Sequence, residues 1–382
     1  MENNITLTDV LRTGLNDYLA KYGQLPYHYY KVINALSACQ TAQLGAHAFQ
    51  CPECAFQKIA YNSCRNRHCP TCQGSSGSRW ADQRVSDILP VTYFHIVFTV
   101  PQELNPVALR NKKTFYNLFF RAVPDTLTEL ARNRKRLGAK IGFFAVLHTW
   151  GRNLLDHPHI HCVVPGGGLS QDKQRWKPCR KNYLFPVKVM SRLFKGKFLA
   201  YLKDNIKAGS LTFPGQLEYL NRKKNIQALI TVLYAKEWVV YTKPPFATPV
   251  NVIKYLSRYT HKIAISNRRI LKLENGKVYF AWKDYCDRNK RKIMSLETTE
   301  FIRRFLLHVL PTGFMRIRHY GILANRVKPK TIGLCRTLLK NAAGMLDALA
   351  SHLDKITPLL CPHCHKAVLQ FRPLPTATWP GG

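Results

Sequence analysis

Acidic residues are scarce in this 382-residue chain, where 21 Asp+Glu stand against 58 Lys+Arg for a formal net charge of +37. The shortage disfavours a nuclease or transferase built on a cluster of three carboxylates. The excess positive charge asks for a polyanionic partner, and nucleic acid is the usual one for a protein this basic. Long apolar runs are also missing: no stretch reaches the roughly 18 residues of a bilayer span. The opening Met1-Glu2-Asn3-Asn4 is not the basic-then-apolar start of a secretory leader. These absences predict a cytoplasmic protein with neither a membrane partner nor a small-molecule substrate. Core material is plentiful. With 46% hydrophobic and 11% aromatic residues, two or three packed domains are expected.

The 12 cysteines, read in a reducing compartment, point to metal rather than disulfides. Cys51 and Cys54 form one CxxC knuckle and Cys69 and Cys72 the next. That spacing predicts four thiolates around one structural Zn²⁺. Cys39, His47, Cys64 and His68 lie nearby and could build a second site. Alternatively, Cys39 is a buried helix residue and His68 contacts phosphate. The basic stretch between the knuckles, with Arg65 and Arg67, is a candidate reader of phosphates or bases. A third knuckle, Cys361 and Cys364, has only two thiolates; His363, His365 or Cys335 could complete it.

In the centre, 91–100 and 141–148 read as strands, with helices expected at 106–121 and 125–137. A third strand carries His157 to Val164 and closes at Gly166-Gly167-Gly168. Alternate strand residues share a face, so the imidazoles of His159 and His161 can converge on one metal ion while Ile160 packs beneath them. A third ligand is needed from a neighbouring strand. His148 is the first choice, with His95 and His157 as alternatives. Farther on, Thr248 and Pro249 suit the start of a helix. Tyr255 and Tyr259, four residues apart, would project from one face of it, with Lys254, Arg258 and Lys262 on an adjacent face. Then follows a basic hairpin turning at Asn275-Gly276, with Arg268 and Arg269 at its start. Residues 165–225 are long for a loop and are expected to form an inserted subdomain.

Several stretches together resemble a known family. The pair His159-Ile160-His161 followed by a two-tyrosine helix is similar to the HUH endonucleases, where U is a hydrophobic residue. More specifically, residues 61–73, 157–168, 243–246, 255–269 and 308–321 resemble, in order, the two-tyrosine rolling-circle transposases of the insertion-sequence family numbered ninety-one. The resemblance implies an α+β chain organised as a helical, zinc-binding DNA-recognition domain (1–90), an HUH nuclease domain with an antiparallel sheet flanked by helices (91–312), a basic helical region (313–360) bearing Arg316 and Arg318, and a Cys/His knuckle with a flexible tail (361–382). It further implies Mg²⁺ or Mn²⁺ held by His159, His161 and a third ligand, for which His148 is the first choice, and Tyr255 or Tyr259 attacking single-stranded DNA at transposon ends and target sites to leave a 5′-phosphotyrosine. A plasmid replication initiator or relaxase would share that chemistry. A non-catalytic zinc-binding regulator would need neither motif.

Overall fold

The structure, a computed structural model, describes residues 5–73, 87–180, 183–246, 251–252, 263–284, 287–339 and 360–373. The N-terminal elements are α1 (Leu7–Tyr22), α2 (Tyr27–Ser37), β1 (Ala46–Gln50) and β2 (Gln57–Tyr61). The central ones are β3 (Tyr93–Thr99), α3 (Asn105–Arg110), α4 (Lys112–Arg132), β4 (Gly142–Trp150), β5 (Asp156–Pro165), β6 (Gly167–Leu169), β7 (Trp176–Pro178), α5 (Val187–Lys207), α6 (Lys223–Ala235) and β8 (Val240–Phe246). Last come β9 (Ile270–Glu274), β10 (Lys277–Asp284), β11 (Lys290–Glu297), α7 (Thr298–Leu307), β12 (Ile317–Gly321), α8 (Lys328–Leu338) and β13 (Gln370–Pro373).

Period-two alternation in the central strands decides which face is core. The five-stranded sheet runs β12-β4-β5-β3-β8 with every neighbouring pair antiparallel. Phe94, Ile96 and Phe98 of β3, Phe143, Ala145 and Leu147 of β4, and Ile160, Cys162 and Val164 of β5 are buried in the main core, which α4 and α5 complete. Phe119 of α4 stacks on Phe194 of α5 with ring centroids 5.6 Å apart. The opposite face presents Tyr93 and His95, Phe144 and His148, and His159, His161 and Val163. Its Tyr93, Phe144 and Val163 end is covered by Ile332 and Cys335 of α8 and by Val252. Its histidine end is not part of that apolar cluster. The outer strand β8 carries Pro244 and Pro245, residues that lack a ladder donor and suit a sheet edge.

Three local expectations change. Residues 112–132 form one helix through Pro124, where a break was expected. Proline removes the donor that the Phe120 carbonyl would receive, and the Tyr320 hydroxyl donates to that carbonyl at 3.0 Å instead. Residues 317–321, read as helical, form β12 and extend the main sheet. Within the stretch expected as an inserted subdomain, α5 belongs to the main core through Phe194, Phe198 and Leu202. The three consecutive glycines have a packing reason: a Cβ on Gly168 would stand 2.7 Å from the Lys140 carbonyl oxygen.

A second core joins the chain's two halves. Leu7, Val10 and Leu11 of α1 and Ile33 and Leu36 of α2 pack with Phe301, Ile302 and Phe305 of α7 and with Val278 and Phe280 of the β9–β10–β11 sheet. Asn275 and Gly276 turn that hairpin with positive φ of 51° and 71°, as the sequence predicts. No helix among the described residues is long and apolar enough to cross a membrane.

Candidate active site

Register places the third histidine. His148 of β4 stands directly opposite His159 of β5, just before a register shift that ends the pairing at Trp150 and Asp156. His161 lies two residues along on the same face. The ligand atoms of His148, His159 and His161 all lie within 4.8 Å of one another, close enough to share one ion. Ring centroids are 4.5 Å apart for His148 and His161 and 4.8 Å for His159 and His161. His159 Nδ1 bonds the His157 carbonyl oxygen at 2.7 Å. A carbonyl only accepts, so Nδ1 carries the proton and Nε2 the lone pair that a metal requires. His95, one of the alternatives, bonds His161 Nδ1 through its Nε2 at 2.8 Å and orients that ring from behind. Burial, and then the nearby Lys243 and His159, push the His95 pKa down to about 3, so it is neutral at physiological pH.

The three rings open onto a cleft of about 260 Å³ lined also by His95, Trp150, Arg152, His157, Lys243 and Arg269. No carboxylate among the described residues lines it, and its cations suit an anionic backbone. Arg269 is tied inward: its guanidinium donates to the carbonyls of Ala281 at 2.7 Å and Arg152 at 2.6 Å. Burial pulls its pKa to about 10, which leaves it charged.

His308 is a site residue that the sequence reading did not single out, although it opens the 308–321 stretch. Fully buried, it bonds Thr149 Oγ1 through Nδ1 at 3.2 Å and the Leu154 carbonyl through Nε2 at 3.0 Å. It thereby fixes the strand end next to His148. Tyr255, Tyr259, Lys254, Arg258 and Lys262 lie outside the described residues. Their flanks are placed: Val252 packs on Tyr93, Phe144 and Val163 of the histidine-bearing face, and Ala264 and Ile265 pack in the cluster with Leu154 and Trp150.

The remaining basic candidates divide. Arg65 and Arg268 are exposed. Arg67 donates to the carbonyls of Phe314, Pro311 and Leu310, the second at 2.7 Å. Arg316 is buried and donates to Gln73 Oε1 at 3.0 Å. Arg318 lies over the Phe120 ring at 4.2 Å and donates to Asn117 Oδ1 at 2.6 Å. Arg67 and Arg316 are thus inter-element ties rather than open readers of DNA.

The cysteines group differently from the expected pairing of adjacent knuckles. Cys39, Cys64, Cys69 and Cys72 form one tetrad, and Cys51 and Cys54 join Cys361 and Cys364 in another. The β1–β2 hairpin explains the separation. Cys51 and Cys54 sit at its tip, whereas Cys39 and Cys64 flank its base, and a strand of this length spans about 16 Å. The Gln40 N–H donates to the Asn62 carbonyl at 3.1 Å and draws the two base cysteines together. Neither candidate histidine joins a tetrad. His47 Nδ1 bonds Asn62 Oδ1 at 3.1 Å. His68 is buried near Arg67 and Arg316, and that burial holds its pKa well below the usual range.

Comparison with known proteins now bears on this geometry. Residues 142–330 match a family described as "Putative transposase", and residues 10–100 match a "Transposase zinc-binding domain". A protein of Sinorhizobium fredii (strain NBRC 101917 / NGR234) named "Putative transposase y4qJ" is 44% identical over 369 residues, covering 94% of this chain and 93% of that one. The chain belongs to the IS91 family of transposases. The transposase for insertion sequence element IS801 of Pseudomonas savastanoi pv. phaseolicola is 28% identical over 300 residues, covering 78% of this chain and 70% of its own. No solved structure matches. As a transposase, the chain acts on DNA by cutting and strand transfer, and the matched zinc-binding domain contains cysteine clusters suited to structural zinc.

Proposed function

We propose that this transposase nicks and rejoins single-stranded DNA at the ends of its element through a 5′-phosphotyrosine, in the manner of the HUH nucleases. Tyr255 and Tyr259 are the nucleophiles, and His148, His159 and His161 hold Mg²⁺ or Mn²⁺. The observation that carries this reading is the convergence of the three imidazoles on the open face of the sheet, in a cleft lined by the cations Arg152, Lys243 and Arg269. A divalent ion bound there supplies Lewis-acid polarisation of the scissile phosphate.

The chain supplies the rest. Lys243, Arg152 and Arg269 favour the phosphodiester over water in the cleft. A tyrosine Oη attacks phosphorus, the Oη–P bond forms, the P–O3′ bond breaks, and the phenolic proton ends on the released 3′ oxygen. One phosphoester replaces another, so the step needs no nucleotide hydrolysis. A 3′-OH can then reverse it at a new junction and restore the phenol, while the second tyrosine allows a further exchange before the first DNA end is released. Imidazoles are softer donors than Mg²⁺ prefers, which favours Mn²⁺ in vitro.

The test uses labelled single-stranded oligonucleotides carrying the element's ends, with and without Mn²⁺, and denaturing electrophoresis to reveal covalent adducts. The double variant Tyr255→Phe, Tyr259→Phe should lose the adduct and keep DNA binding. His159→Ala should abolish cleavage and spare binding. An adduct formed by the double variant sinks the assignment; a non-catalytic regulator would form none with either protein.

A further inference from the structure

The matched zinc-binding domain ends at residue 100, yet the tip of its hairpin is completed from the far end of the chain. Cys51 Sγ stands 3.6 Å from Cys364 Sγ, and Cys54 Sγ stands 3.6 Å from Cys361 Sγ. A disulfide requires about 2.05 Å. Sulfurs at about 2.3 Å from a tetrahedral Zn²⁺ lie about 3.8 Å apart. The observed spacing fits the ion.

The backbone repeats the same shape on both sides. In each half a proline follows the first cysteine, at Pro52 and Pro362. The residue after the second cysteine turns left-handed in each, with φ of 57° at Ala55 and 56° at His365. The first cysteine's N–H closes each turn at 2.8 Å, onto Phe56 in one half and Ala367 in the other. The His363 ring lies parallel to Phe56, with interplanar angle 10°. Beside the cysteines, β13 pairs with β1 in the register Gln50↔Gln370 and Phe49↔Phe371.

We propose that Cys51, Cys54, Cys361 and Cys364 bind one Zn²⁺ as four thiolates, at a site separate from Cys39, Cys64, Cys69 and Cys72. Its two halves come from opposite ends of the sequence. The ion clasps β13 onto the N-terminal hairpin and closes the chain into a loop through the nuclease sheet. An all-sulfur site selects zinc over the oxygen-preferring Mg²⁺, so its occupancy is independent of the metal at the histidines.

Zinc per chain, measured by elemental analysis of the full-length protein, tests the pairing. Cys361→Ser with Cys364→Ser should remove one zinc relative to the parent, and so should Cys51→Ser with Cys54→Ser. The quadruple variant should lose that same single zinc and no more. Full retention by either double variant, or loss of two ions by the quadruple variant, overturns the proposal. Cys364→His guards against misfolding, because it keeps four ligands. With Co²⁺ in place of zinc, its visible spectrum should shift from that of four sulfurs to that of three sulfurs and a nitrogen. An unchanged spectrum overturns the assignment as well. Hydrogen exchange over residues 370–373 should quicken in the serine variants if the ion holds β13 in place.

Discussion

Asp156 opens the strand that carries His159 and His161, and its side chain points away from them into the protein. Neither carboxylate oxygen has a hydrogen-bond partner among the described residues. Burial, opposed in part by Lys112, raises its pKa from 3.8 to about 7. A group whose folded pKa exceeds its unfolded value makes the folded state hold its proton longer. Stability is therefore lost as pH climbs from about 4 to about 7 and stays lost above. At about 1.4 kcal/mol per unit, three units set an upper limit of about 4 kcal/mol. Lys112, buried and pulled down to about 8, is the nearest compensating charge. Removing the carboxylate would deprive it of that partner, which returns part of the gain.

Asp156→Asn should accordingly match the parent within about 1 kcal/mol at pH 4.5 and exceed its stability by about 2 kcal/mol at pH 8. Urea unfolding at the two pH values, with the slope compared to exclude a change in cooperativity, measures the difference. An asparagine variant that gains nothing between pH 4.5 and pH 8, or that is less stable at pH 8, refutes the reasoning. That outcome would mean that the carboxylate is stabilised by interactions stronger than the burial opposing them.

Gly14→Ala should destabilise despite alanine's better helix propensity, because the new Cβ would overlap the Thr298 methyl where α1 crosses α7. Overpacking of about 1–3 kcal/mol against a propensity gain of about 1 leaves a loss of up to about 2 kcal/mol, readable in urea unfolding. Arg67→Ala and Arg268→Ala should separate structure from binding. Arg67→Ala leaves three carbonyls without their guanidinium partner and should cost about 2 kcal/mol of stability. The exposed Arg268→Ala should leave stability unchanged; if Arg268 meets a phosphate, it should also lower the salt slope of DNA binding by about 1.

The histidine strand was legible because a strand has a fixed period: once 157–164 is extended, His159 and His161 must share a face and Ile160 must be core. The third member needed register, which the hairpin's irregular pairing near Trp150 sets and periodicity does not report. The cysteine tetrads were legible as CxxC pairs but not as partners, since three similar knuckles give no local sign of which halves meet. The Cys-Pro start does not distinguish them, because Cys51, Cys69 and Cys361 all share it. Pro124 misled because the hydroxyl that satisfies the freed carbonyl comes from Tyr320, far along the chain. His308 was hidden for a similar reason: a lone histidine shows its role only when Thr149 and Leu154 arrive beside it.

Charge was the feature most easily over-read, and the interior explains why. Glu300 pairs with Arg303 and Arg304, but a chain with so few carboxylates leaves other inward guanidinium groups to neutral acceptors. Arg67 and Arg269 turn to backbone carbonyls. Those acceptors solvate the cation without cancelling it. Arg269, drawn by burial to about 10, remains charged at neutral pH. A carboxylate partner would turn each into a short-range dipole, whereas a carbonyl leaves the full charge to act at a distance. Arginines tied inward can therefore add to the field that draws DNA toward the histidine cleft. Arg67 then has two separable effects: its replacement lowers stability through lost carbonyl contacts and weakens DNA attraction through lost field. Arg67→Lys should restore the second without fully restoring the first, because an ammonium keeps the charge but lacks the planar fork that reaches several carbonyls at once.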